Sequence, residues 1–144
     1  MSTTERPSIP RPEPIASEVS APFWDATRNG QLVVQWCLTC DAPVFYPREV
    51  CPGCLGTELE WRPSSGRGTV YAVTVEHRPQ HPGLADRAPY AVALVDVEEG
   101  WRLLTNIVGC DPLTVTIGMP VTVTWELLSD GRQLPQFTPE GADA

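Results

Sequence analysis

The sequence contains no lysine: all ten basic residues are arginines, set against eighteen acids for a formal net charge of −8. A chain this acidic has no general attraction for a phosphate backbone, which argues against a broad nucleic-acid role. No stretch approaches the eighteen or so consecutive apolar residues of a membrane span. The N-terminus, with Glu5, Arg6 and repeated prolines, has no apolar signal-peptide core. The chain therefore reads as a soluble, cytoplasmic protein with no membrane partner. Histidine is scarce, at His77 and His81 alone, and no nucleophile elbow, phosphate loop or metal-hydrolase helix occurs. Cysteine is limited to five residues. In a reducing compartment these thiols stay free of disulfides and open to metal.

What is present is proline, apolar alternation and a cysteine block. Residues 1–22 hold five prolines (Pro7, Pro10, Pro12, Pro14, Pro22), which interrupt helix and lack a sheet donor, so an extended arm that orders on a partner is expected. A short helix follows, with Ser20 as its cap, Phe23 and Trp24 as apolar anchors and Gly30 as its stop. Strands are expected at "QLVVQW", "LEWR", "GTVYAVTVEH", "YAVALVDV", "RLLTNIV" and "MPVTVTWEL". The last alternates cleanly, Met119, Val121, Val123, Trp125 and Leu127 against Thr122, Thr124 and Glu126, and predicts one packed and one wet face. "EEGW" suggests a hairpin tip at Gly100, and residues 77–89 a longer loop. Five or so short strands in one small segment favour a closed barrel. At 144 residues the chain has the size of one domain or two very small ones.

Cys37 and Cys40 form one Cys-x-x-Cys pair and Cys51 and Cys54 another, ten residues apart. Each turn places two sulfurs on one edge of a tetrahedron, and four thiolates close it. A closed site has no open position for catalytic water, so structural zinc is the expectation, with iron next because the same ligands hold it in rubredoxin-like sites. A redox pair would sit at a helix N-terminus in a βαβ setting, which neither pair has. Cys110 is read as a small buried hydrophobe, and His77 and His81 as solvated loop residues without a nucleophile or orienting acid nearby. In "SGRGTVY", Gly66 and Gly68 allow close backbone approach; a bulge at the start of a strand is favoured over a ligand contact.

With these residues in view, the chain resembles an acyl-CoA-associated family that joins an N-terminal helix and a rubredoxin-like zinc ribbon to an OB-fold. The resemblance lies in "PFWDATRNGQLVVQWC", "CLTC…YPREVCPGC", "SGRGTVYAVTV", "PYAVALVDVEEG", "RLLTNIVGCDP" and "IGMPVTVTWE". Asp41 stands where the family commonly has glycine. The resemblance implies a mainly β chain divided into a proline-rich arm and docking helix (1–30), the ribbon (31–61), a five-stranded OB-fold (62–137) and a flexible tail (138–144). It also implies a subunit that is not an enzyme by itself. Its partner would be a thiolase-fold enzyme, a thiolase or a steroid side-chain aldolase, or else a MaoC-like hydratase, and the barrel would help bind or channel acyl-CoA. Phe23 and Trp24 are then the docking candidates. Arg67, Arg78 and Arg102 are the candidates for CoA phosphates, because residues 62–102 balance five arginines against five acids. The rival is a single-stranded nucleic-acid module of the same fold, which would use stacked aromatics and a basic groove that this charge does not supply.

Overall fold

The computed structural model describes residues 10–141. The described residues are mainly β with one short α-helix, α1 (Ala21–Thr27). Pro22 occupies its first turn and Gly30, at φ +66°, lets the chain reverse after it. Ser20 stands at the N-cap, but its hydroxyl accepts from the Ser17 amide (2.9 Å) instead of capping the helix. The C-terminal end is clamped: Gln133 donates from its amide to Thr27 Oγ1 (3.1 Å) and from Nε2 to the Thr27 carbonyl (2.9 Å).

Strands β1 (Val33–Cys37), β2 (Ala42–Val44) and β3 (Leu59–Pro63) form an antiparallel sheet in the order β2-β1-β3. Then come β4 (Arg67–Glu76), β5 (Tyr90–Val97), β6 (Trp101–Ile107), β7 (Pro120–Leu127) and β8 (Gln133–Pro139), which close a barrel in the order β4-β5-β6-β8-β7. Alternation builds its core. Ala91, Ala93, Val95 and Val97 point inward from β5, Trp101, Leu103, Thr105 and Ile107 from β6, and these meet Val70, Val121 and Phe137. The hairpin tip forms at Gly100, at φ +100°.

Strand β8 was not expected from the sequence, because Pro135 and Pro139 break its pattern. The barrel tolerates Pro135 for a specific reason. Its carbonyl accepts from Thr105 Oγ1 on β6 (3.0 Å), so its missing N–H also faces β6, where no ladder partner is needed. Strand β8 in fact pairs with β6 only at Ile107 and Phe137.

The arm also differs from expectation. From Pro10 onward it lies on this chain's own barrel. Arg11 pairs with Glu126 on β7 (2.9 Å), and Glu13 accepts from the Ser129 hydroxyl (2.6 Å) and amide (2.9 Å). A Cβ on Gly83 would come within 2.1 Å of the Pro10 carbonyl oxygen. The polar face of β7 is therefore partly covered at Glu126, whereas Leu127, expected on the packed face, ends the strand 70% exposed because the barrel stops there. Residues 1–9 of the arm and 142–144 of the tail lie outside the described residues.

The two glycines of "SGRGTVY" serve the barrel. Gly66 has φ +76°, and a Cβ on Gly68 would sit 2.5 Å from the Asp96 carbonyl oxygen and 2.7 Å from a Val95 methyl. Backbone on the neighbouring strand cannot rotate away as a side chain can. Gly68→Ala should therefore cost about 2–3 kcal/mol in a urea unfolding curve. An unchanged midpoint would show that β4 and β5 can separate at this corner.

Candidate metal centre and the surfaces around it

Cys37 ends β1, and Cys40 follows after a tight turn; Cys51 and Cys54 lie on the facing turn. The four sulfurs lie within 4.8 Å of one another, with Cys37–Cys54 and Cys40–Cys51 each at 3.6 Å. That is far outside disulfide bonding at about 2 Å. It matches the edge of about 3.8 Å that a tetrahedron with 2.3 Å metal–sulfur bonds requires. Amide donors point inward. The Cys40 and Thr39 amides hold Cys37 down to about 7, against its burial, and the Cys54 and Gly53 amides lower Cys51 in the same way. Cys40 is pushed up to about 12 by the neighbouring sulfurs of Cys37 and Cys51. The first thiol of each pair is thus prepared to hold charge. The donor set fits a structural metal of the zinc type.

Asp41 reaches the left-handed backbone (φ 53°) without glycine, a region in which Asp is enriched. Its carboxylate accepts from Trp36 Nε1 at 2.8 Å, which fixes the turn. Leu55 takes the matching position after Cys54, at φ 63°.

The ribbon, helix and barrel meet through aromatic rings. Phe45, just past β2, lies 6.0 Å from Phe23 and 4.7 Å from Trp101, ring centre to ring centre, and Phe23 meets Trp24 edge-on at 5.1 Å. Phe23 is buried in this chain's own core, whereas Trp24 is half-buried and lines an open cavity with Phe45, Tyr46 and Leu104. Of the two docking candidates, Trp24 is the one whose ring remains available.

The three arginine candidates are not brought together. Arg67 lies at the start of β4 beside Glu98 (3.5 Å). Arg102 is held by both oxygens of Asp96 (2.6 and 3.3 Å), and its guanidinium stacks 3.5 Å above the Tyr71 ring, so much of its donor capacity is used. Arg78 lies past the far end of β4 and has no ion-pair partner among the described residues. His81 accepts from the Gly83 amide through Nδ1 (2.9 Å) and shapes the loop. Cys110 is half-buried at the wall of a second cavity.

That cavity was not anticipated. Arg11 and Arg87 converge on Glu126, with Arg87 at 2.6 Å and Gln136 Nε2 at 3.2 Å. Burial opposes the charge of Glu126, but the bonds from Arg87 and Arg11 outweigh it and hold the carboxyl below its ordinary range. Nothing in sequence spacing joins residues 11, 87, 126 and 136.

Comparison with known proteins places this geometry. Residues 24–60 match the family described as "ChsH2, rubredoxin-like zinc ribbon domain", and residues 61–126 match "ChsH2, C-terminal OB-fold domain". The chain is 37% identical over 137 residues to the probable enoyl-CoA hydratase alpha subunit of Thermomonospora curvata, covering 95% of this chain and 42% of that one. It is 36% identical over 115 residues to the 3-oxo-4,17-pregnadiene-20-carboxyl-CoA hydratase alpha subunit of Mycobacterium tuberculosis, covering 78% of this chain and 35% of that one. The chain thus spans well under half the length of these two relatives. A DUF35 domain-containing scaffold protein of Methanocaldococcus jannaschii is 38% identical over 96 residues, 65% of this chain and 67% of the relative. Among solved structures, a chain of the "Ltp2-ChsH2(DUF35) aldolase" superposes with a TM-score of 0.79 at 37% identity, covering 88% of this chain and 98% of that one. A DUF35 protein of unknown function from Sulfolobus solfataricus shares the fold alone, at 16% identity and a TM-score of 0.62. Zinc-ribbon cysteines, closed barrel and matches over both parts agree: this chain belongs to the ChsH2-type DUF35 family, a rubredoxin-like zinc ribbon joined to an OB-fold.

Proposed function

We propose that this chain is a non-catalytic accessory subunit. It docks on a thiolase-fold enzyme, an aldolase or a thiolase, and helps hold that enzyme's acyl-CoA substrate, while a structural zinc at Cys37, Cys40, Cys51 and Cys54 braces it. The observation that carries this reading is the superposition on 98% of a chain from an aldolase complex, at a level of identity that spans ribbon and barrel alike. The hydratase alpha subunits support a second reading, in which the partner is a MaoC-like hydratase. The aldolase reading is preferred because the superposition on the aldolase chain takes in ribbon and barrel together, at a TM-score of 0.79 and 37% identity.

Trp24 and the half-buried rings around it offer the docking surface, with Phe23 fixing the helix beneath. Among the arginines, Arg78 is the best CoA contact, since its guanidinium is not already committed to a carboxylate. The test is co-purification from the native cell, with the captured subunit identified by mass spectrometry. A thiolase-fold subunit supports the proposal, a hydratase supports the second reading, and a chain that elutes alone overturns both. In the reconstituted complex, Arg78→Ala should raise KM for the CoA ester about fivefold at constant kcat, the loss of about one charge-assisted contact in solvent. Arg102→Ala should move KM less.

A further inference from the structure

We propose that the metal end of the ribbon is a second docking surface, an apolar tip formed by Leu38, Val50, Pro52 and Leu55 around the outer thiols. Resting on the reading above for the partner's identity, the tip seats on the same thiolase-fold subunit that covers Trp24.

Leu55 is the residue that calls for a partner. The turns after Cys40 and Cys54 both end in left-handed backbone, which glycine enters freely and a branched side chain enters under strain. Asp is enriched in that region, and the Asp41 carboxylate is further held by Trp36 Nε1. Leu55 has no such bond. Its φ is +63°, its side chain is 76% exposed, and it packs on neither buried cluster. Strain carried by a bulky apolar residue in open water persists where a second surface uses the side chain.

Its neighbours extend the patch. Leu38 follows Cys37 as Leu55 follows Cys54, and those two sulfurs lie 3.6 Å apart, so both leucines border one edge of the sulfur cage. Val50 and Pro52 flank Cys51 on the facing turn. All four are exposed, as are Cys40 and Cys54, whereas Cys37 and Cys51 are buried.

The tip is continuous with the face around Trp24. Tyr46 and Pro47 line the Trp24 cavity, and from there the chain runs through exposed Arg48, Glu49 and Val50 to Cys51. The five residues of β1 span the interval, roughly 14 Å from end to end. A protein contact of ordinary size, about 800 Å² per partner, covers both ends. Charge selects the occupant. Residues 37–58 carry Asp41, Glu49 and Glu58 against Arg48 alone. Neither Glu49 nor Glu58 enters an ion pair among the described residues. A second copy of this chain would bring the same excess of acid to the contact, so the fitting occupant has an apolar seat rimmed by basic side chains.

The test uses the full, zinc-loaded chain and the thiolase-fold subunit captured by co-purification. Leu55→Gly removes side chain and strain together. The free variant should therefore unfold at a higher urea concentration than the parent while binding the subunit about tenfold more weakly. Leu38→Ser should also weaken binding, with the fold verified by circular dichroism. Added salt should weaken capture by the parent chain, and Glu49→Gln combined with Glu58→Gln should flatten that dependence. Hydrogen exchange at residues 38–41 and 52–56 should slow in the complex. Undiminished binding by Leu55→Gly, no slowing of exchange at the two turns, or a Leu55→Gly chain less stable than its parent would each overturn the inference. So would a dimer of the parent chain in light scattering that Leu55→Gly dissolves, since a second copy would then occupy the tip. Where co-purification yields no thiolase-fold subunit, the accessory role falls and the tip with it; where it yields one indifferent to Leu55, the tip alone falls.

Discussion

Chelation of the metal, or Cys37→Ser, should collapse the ribbon and lower the stability of the whole chain, because the ribbon has almost no core of its own. Its buried cluster is Cys37, Val44 and Cys51, with Leu59 packed beside it. So few apolar groups cannot offset the ordering of some thirty residues. A four-thiolate zinc site contributes on the order of 10 kcal/mol or more to such folding. The loss should spread to the barrel, because Val33 and Val34 on β1 belong to the main core and Phe45 packs on Phe23 and Trp101. The measurement is thermal unfolding followed by near-ultraviolet circular dichroism. Trp36 and Trp61 should lose their signal on chelation and regain it with zinc, and an unchanged spectrum and Tm would refute the brace. The sign of the pH effect follows from the thiols. Cys40, raised to about 12, binds a proton at neutral pH that metal must displace, whereas Cys37 joins it only below about 7. Each displaced proton lowers apparent affinity about tenfold per pH unit. Competition titrations should therefore show affinity falling with acid, and falling more steeply below pH 7.

The cysteine turns, the alternating strands and the tip at Gly100 were legible because each depends on local spacing or backbone conformation. Two Cys-x-x-Cys pairs announce their own geometry, and "YAVALVDV" displays its buried face in its order of residues. Strand β8 was hidden by Pro135, whose tolerance depends on a neighbour, β6, that is distant in sequence and nearly unpaired there. The arm misled for a similar reason. Proline content describes what its backbone cannot do alone, and says nothing of Glu126 and Ser129, more than a hundred residues away, which hold it to the barrel. The choice of Arg67 and Arg102 by regional charge balance overlooked Glu98 and Asp96, which only strand register brings beside them. Arg11 and Arg87 carry no motif. Their common cavity exists only after the barrel closes and the arm lies across it.

Phe23→Ala should cost about 3–5 kcal/mol, the usual loss for a buried aromatic truncated to methyl, out of a total stability on the order of 5–15 kcal/mol. The helix that carries it has seven residues, too short to persist through its own hydrogen bonds. Its end is held by the Thr27–Gln133 clamp and by the bond from Arg28 Nη1 to the Asp130 carbonyl (2.5 Å), and its apolar side by the Phe23 ring. That ring is 5% exposed and touches the helix's Trp24, the ribbon's Phe45 and, through Phe45, Trp101 of the barrel. Its removal opens a void where three parts of the chain meet, and none of them can close the gap without leaving its own ladder. Urea unfolding monitored by tryptophan fluorescence should show a lowered midpoint, and a loss below about 1 kcal/mol would mean that the junction repacks. Trp24→Ala makes the contrast. Its ring is half-buried and borders an open cavity, so truncation should spare most of the stability while weakening capture of the partner subunit. If the two variants instead lose stability equally, Trp24 is a second core residue, and the surface available for docking must lie elsewhere on the barrel.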